Sequence, residues 1–127
     1  MRAPDDSSGD GHTWRERLLA YNRGPTDNRL GFMPAYQLYL HNAYRALAKR
    51  FGLEQLFILS AGWGLIPATF LTPAYDITFG TSDHPAYHRR QDDVYENFCL
   101  MPDEQEEIVF LGGRDYLPLL RRLTAEF

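Results

Sequence analysis

From Pro34 to Arg50 the apolar residues Tyr36, Leu40, Ala43, Tyr44, Leu47 and Ala48, with Phe51 just beyond, fall on one side of a helical repeat, as in an amphipathic helix. Pro34 suits its first turn and Gly52 its stop, while Lys49 and Arg50 sit at the negative end of the helix dipole. A shorter helix is expected over Trp14–Tyr21. Leu56–Ser60 (LFILS) and Ile108–Leu111 (IVFL) are continuous apolar runs of strand length, expected to be strands covered on both faces. Tyr75, Ile77 and Phe79 alternate with Asp76 and Thr78, which predicts a short extended segment. Residues 22–31 and 80–85 read as loops. Tyr87–Phe98 reads as a helix ended by Pro102, and Arg114–Phe127 as another with Leu117, Leu120 and Leu123 facing inward. Both apolar runs lead into glycines, and a helix separates them, so parallel pairing through a right-handed crossover is expected. The fold class is therefore α/β, a small, mainly parallel or mixed sheet flanked by helices. Tyr36, Tyr39 and Tyr44 read as core material at helical spacing.

Composition bounds this picture. With 127 residues, 44% of them hydrophobic, the chain suits one domain with a real core. Residues 1–12 are polar and are expected to be a disordered tail before a single domain over residues 13–127. The formal charge of −4 argues against wholesale binding of a polyanion and leaves room for local basic patches such as Arg89-Arg90. The single cysteine, Cys99, excludes an intramolecular disulfide framework, suits a reducing cytosol and reads as an inert buried thiol. No apolar stretch approaches the ~20 residues that span a bilayer, and the first residues lack the apolar middle of a signal peptide. A cytoplasmic protein without a membrane partner is expected. His84 and His88 have metal-ligand spacing, but Pro85 lies between them and no third His or Cys is close, so neither a metal nor another cofactor is expected. The sequence contains no Gly-Lys-Ser/Thr and no GxGxxG, so nucleoside triphosphate hydrolysis is not expected.

The chemistry concentrates around LSAGWGLI, residues 59–66. Gly62 and Gly64 flank Trp63 directly after Ser60, a pattern that implies a close approach of backbone to another group. Loops at the carboxyl ends of parallel strands expose N–H groups to ligands. If the two predicted strands are neighbours, Ser60–Gly64 and Gly112-Gly113 line one cleft. Such a cleft suits a phosphate, a ribose or a flipped nucleoside, with Ser60 donating and Trp63 stacking. The blander alternative is that the glycines make tight turns and Trp63 packs on the core. Asp76 is the first candidate carboxylate for cleaving an N-glycosidic bond, where it would stabilise an oxocarbenium ion or activate water. A place on the outer strand face accounts for it equally well. Asp83 is the reserve, and also fits a turn or cap. Arg89 and Arg90 are candidates for holding phosphates, with Tyr87 and His88 beside them; the alternative is a solvated face balanced by Asp92 and Asp93.

The stretch Ile58–Ile66, followed by Pro73–Phe79 and later by Phe110–Leu117, resembles the motifs of the YaaA-like family of peroxide-stress proteins and smaller relatives of unknown function. The likeness covers roughly residues 54 to 120. It implies a mixed sheet with a basic cleft, DNA binding, and kinship to base-processing glycosylases and base-exchange enzymes. Carried over by position, Ser60, Gly62 and Gly64 would form the cleft floor, Tyr75 and Asp76 its wall, and Gly113 and Tyr116 the opposite lip. Ala74 departs from the family pattern by interrupting its Pro-Tyr pair. The expected function is binding of DNA or a nucleoside, extending to glycosylase cleavage of a modified base. The alternative is a non-enzymatic stress-response or phage-defence accessory that docks a protein partner.

Overall fold

A computed structural model of the chain describes residues 4–24, 27–39, 41–75, 77–80, 88–90, 98–102 and 107–125. Helix α1 (Trp14–Arg23) starts at a reciprocal cap, in which Thr13 accepts from the Glu16 amide and Glu16 reaches back to the Thr13 amide. Ahead of it, residues 4–13 form an ordered arm, in contrast to the tail expected from composition. Ser7 bridges Thr13, the Arg15 amide donates to the Pro4 carbonyl, and Arg15 grips Asp5 through Nε at 2.6 Å and Nη2 at 3.0 Å. The Arg15 guanidinium also lies 5.0 Å from the Phe98 ring centroid. Polar residues order here because Asp and Ser side chains close the local turns and the arginine, buried by its stem, requires a counterion.

The single helix expected from Pro34 is two helices, α2 (Ala35–Leu38) and α3 (Asn42–Phe51). Tyr39 is extended at ψ 124°, and the His41 side chain caps α3 by accepting from the Ala43 amide. The first amides of α2 are satisfied by the segment before β4, Ala35 N–H to Phe70 C=O and Tyr36 N–H to Ala68 C=O. Gly52, at φ +82°, terminates α3.

Among the described residues two small sheets hold the rest: β1 (Met33–Pro34) with β4 (Leu71–Thr72), antiparallel, and β2-β3-β5. In the second, β2 (Phe57–Ser60) and β3 (Gly64–Pro67) form an antiparallel hairpin, and β3 runs parallel to β5 (Phe98–Cys99). The protein is thus a small α/β fold with mixed pairing. The first buried strand lies where the apolar run placed it, but its neighbour is the returning arm of its own hairpin. Ile108–Leu111 forms no strand: Ile108, Val109 and Leu111 are 45%, 74% and 68% exposed. The repeated strand, glycine turn and helix therefore does not exist. Residues 88–90, expected as helix, are not helical, with His88 bridged to Thr78, and Phe98 belongs to β5; residues 91–97 lie outside the described residues. After Gly113, a single 3₁₀ turn (Arg114–Tyr116) leads into α4 (Leu117–Leu123), which buries Leu119 most deeply and packs on β3.

The core joins Leu18, Ala35, Ile58, Trp63, Ile66, Phe70 and Phe98. Trp63 is 1% exposed, stacked on Phe98 at 6.0 Å and edge-on to Tyr75 at 6.1 Å.

Candidate functional site

The hairpin turn explains the glycines one at a time. Gly64 takes φ +94°, which closes the three-residue turn Ala61–Trp63. Gly62 has no such need; a Cβ there would lie 3.1 Å from the Tyr75 ring. The group the backbone approaches is thus a side chain of the same molecule. Trp63 points into the core and offers no stacking face to a ligand, because its ring is covered by Phe98 and Tyr75. The turn amides are not bare either: Gly62 and Trp63 both donate to Ser60 Oγ, at 3.1 and 3.0 Å. Ser60 Oγ in turn bonds the Tyr75 hydroxyl, which bonds the Tyr39 hydroxyl at 2.6 Å. The Ser60–Gly64 site proposed from the pattern of glycines is filled by its own side chains.

Arg89, read as a phosphate ligand, is 2% exposed. Its Nη1 donates to the Ala61 carbonyl at 2.6 Å, its amide donates to Thr78, and its guanidinium lies 5.6 Å from the Phe79 ring centroid. It holds the hairpin turn rather than facing solvent. Arg90 is exposed. Asp76, Asp83, His84 and Tyr87 lie outside the described residues. Among the described residues no group of three or more His, Cys, Asp or Glu is arranged to hold a metal, and no helix is long and apolar enough to cross a membrane.

An open cleft of about 500 Å³ lies beside this filled turn. One wall is α3, with Tyr44, Leu47 and Phe51; the floor is β2; the other wall runs from Ile108 through Gly112, Gly113 and Tyr116 to Leu120. Gly112 serves this wall by letting the Phe110 ring fold back, since a Cβ would lie 2.5 Å from the ring. Of the residues expected at the site, Gly113 and Tyr116 line the cleft. Ser60 and Tyr75 reach it only through Tyr39, which lines it.

Among the described residues, the peptide groups on the edge of β2 facing this space have no backbone partner. Phe98 and Leu100 donate to the Trp63 and Leu65 carbonyls, so odd-numbered residues of β3 bond β5 and even-numbered ones bond β2. Register then leaves the N–H and C=O of Phe57 and Leu59 pointing away from β3. Both residues line the cleft.

Tyr39 and Tyr44 stack at 5.0 Å and 24° on the inner side of the cleft. Burial pushes the phenols of Tyr39, Tyr75 and Tyr44 above the ordinary tyrosine range, and in Tyr39 the neighbouring Tyr75 adds to the effect. The folded state holds these protons more tightly than the unfolded state. Their contribution to stability is complete below the ordinary tyrosine value near pH ~10 and is lost as pH rises through the folded values. Denaturation midpoints are expected to fall from about pH 9 to about pH 11, and to fall less in the Tyr39→Phe/Tyr75→Phe double variant. A profile of equal slope in both proteins would contradict this.

A family model described as a family of unknown function, DUF6884, matches residues 28–127. The chain belongs to this family. No curated protein and no solved structure matches it. The part of the chain matched to DUF6884 contains every residue that lines the cleft, together with Ser60 and Tyr75. The tyrosines that end the hydroxyl chain and wall the DUF6884 cleft were legible only as core residues. Their signal was the cap-forming His41-Asn42 inside an otherwise continuous helical repeat, which marks a break that frees Tyr39.

Proposed function

We propose that this DUF6884 domain binds a nucleobase or nucleoside in the cleft between α3, β2 and the Ile108–Tyr116 wall. The observation that carries the reading is an apolar cleft of about 500 Å³ floored by a strand edge that is unpaired among the described residues. A heterocyclic base has two apolar faces and an in-plane rim of donors and acceptors. The faces suit Tyr44, Leu47 and Leu120, and the rim suits the coplanar N–H and C=O groups of Phe57 and Leu59. The volume falls within the ~300–1,000 Å³ of ordinary small-molecule sites. A net charge of −4 and the burial of Arg89 favour a single nucleoside unit over tracking of a phosphate backbone. The resemblance to YaaA-like proteins points the same way. Cleavage of the glycosidic bond would be an extension of this reading that depends on Asp76.

The test is thermal shift and calorimetry against free bases, nucleosides and short oligonucleotides. Binding by the wild type is expected, and Tyr44→Ala, which removes a half-buried stacking ring, is expected to weaken it by about 1–3 kcal/mol. A folded wild-type protein that responds to none of these compounds rejects the reading. The second reading, docking of a protein segment, is favoured by the exposed Ile108, Val109, Leu111 and Phe51 around the same cleft. An extended peptide added to the β2 edge would then take the place of the base.

A further inference from the structure

Two four-residue segments line the same cleft, and each lacks a strand neighbour there. On β2 (Phe57–Ser60), the amides and carbonyls of Phe57 and Leu59 point away from β3 and have no backbone partner among the described residues. On the opposite wall, Ile108–Leu111 belongs to no helix or strand, and no backbone hydrogen bond joins it to another described residue. Its residue types are those that favour strands. Exposure is lower at Ile108 and Phe110 than at Val109 and Leu111, so the segment already carries the two-residue alternation of a strand. One contact belongs to the open arrangement: the Phe110 ring lies folded back over Gly112, where a Cβ would sit 2.5 Å from it. In a strand the ring stands off the backbone instead.

We propose that Ile108–Leu111 is a strap that closes on the outer edge of β2 as an additional strand, and that Gly112 holds it open by seating the Phe110 ring. Closure pairs the outward peptide groups of Phe57 and Leu59, covers an edge that would otherwise template pairing with other chains, and removes exposed apolar surface. The strap remains anchored beyond Gly113, because α4 buries Leu119 and packs on β3. Strap and ligand use the same peptide groups, so occupancy of the cleft and closure exclude one another, and a ligand binds only the open fraction. The proposal stands on the ligand-free protein and goes beyond the nucleoside reading rather than depending on it.

The experiment is backbone amide relaxation dispersion and saturation-transfer NMR on the ligand-free chain, which read exchange on the μs–ms scale. In the wild type, Phe57, Leu59 and the amides of 108–111 are expected to share one exchange process with a minor form populated at roughly 1–10%. Gly112→Ala removes the seat of the Phe110 ring and is expected to raise that population several-fold, with cross-strand proton contacts between β2 and 108–111. Ile108→Pro/Val109→Pro removes one amide from each side of the strap and keeps the Phe110 ring. Neither amide is bonded to a described backbone group, so the open fold is left intact, and the shared exchange is expected to vanish. Flat profiles in both the wild type and Gly112→Ala, or exchange that survives in the double proline variant, overturn the proposal. Titration with adenosine, inosine, uridine and cytidine separates the two readings: a nucleoside that binds is expected to suppress the exchange, and a bound nucleoside that leaves it unchanged overturns the competition. If none binds, the nucleoside reading fails while the strap is judged on the ligand-free spectra.

Discussion

Trp63→Ala is expected to lower the unfolding free energy by about 3–5 kcal/mol, the usual cost of truncating a buried aromatic. The indole is 1% exposed and touches the two rings that tie the hairpin to β5 and to the Tyr75 segment. Removing it opens a cavity between Phe98 and Tyr75 that a three-residue turn cannot collapse to fill. Small domains are stable by about 5–15 kcal/mol, so the variant is expected to be largely unfolded in moderate denaturant, as circular dichroism would show. A loss below about 1 kcal/mol would place Trp63 outside the core. The outcome also bears on function. Lost ligand binding in Trp63→Ala would follow from lost structure, which is why the half-buried Tyr44 is the informative position for the cleft.

Arg89→Ala is expected to cost about 3 kcal/mol, within the range for breaking a buried, hydrogen-bonded charged group. The truncation leaves the Ala61 carbonyl without its 2.6 Å donor and uncovers the Phe79 ring. Phe79 in turn packs edge-on against Tyr116 at 5.0 Å, on the lip of the cleft. One side chain therefore links the hairpin turn to the cleft wall, and the loss should appear both in stability and in a looser ligand site. Arg89→Lys retains charge but not the planar fork, and is expected to recover only part of the stability. If Arg89→Ala unfolds at the wild-type denaturant concentration, the linking role assigned to the guanidinium is wrong.

Several elements could be read from the chain because their causes are local. The short helix from Trp14, the Gly52 stop after Lys49 and Arg50, and the apolar run that became β2 each depend on residues within a few positions of one another. Ile108–Leu111 shows the limit of such reading. Four consecutive apolar residues fit a buried strand as a pattern, but a strand exists only where a neighbour supplies its hydrogen bonds. On one side of β2 that neighbour is β3; on the other side the cleft separates β2 from the Ile108–Leu111 segment. Arg89 shows the same limit for charge. Two adjacent arginines look like a surface patch until a carbonyl 28 positions away accepts from one of them.

What the sequence determined by itself is the class of the fold, the core character of the apolar run that became β2, and the special status of Ser60-Ala61-Gly62-Trp63-Gly64. Composition, periodicity and the stereochemistry of glycine suffice for these, since each acts through neighbours along the chain. The tertiary structure alone decided that Gly62 makes room for the Tyr75 ring, that the hydroxyls of Ser60, Tyr75 and Tyr39 meet, and that the open space lies at the outer edge of β2. Those outcomes depend on which distant groups meet, and on which peptide groups remain once they have.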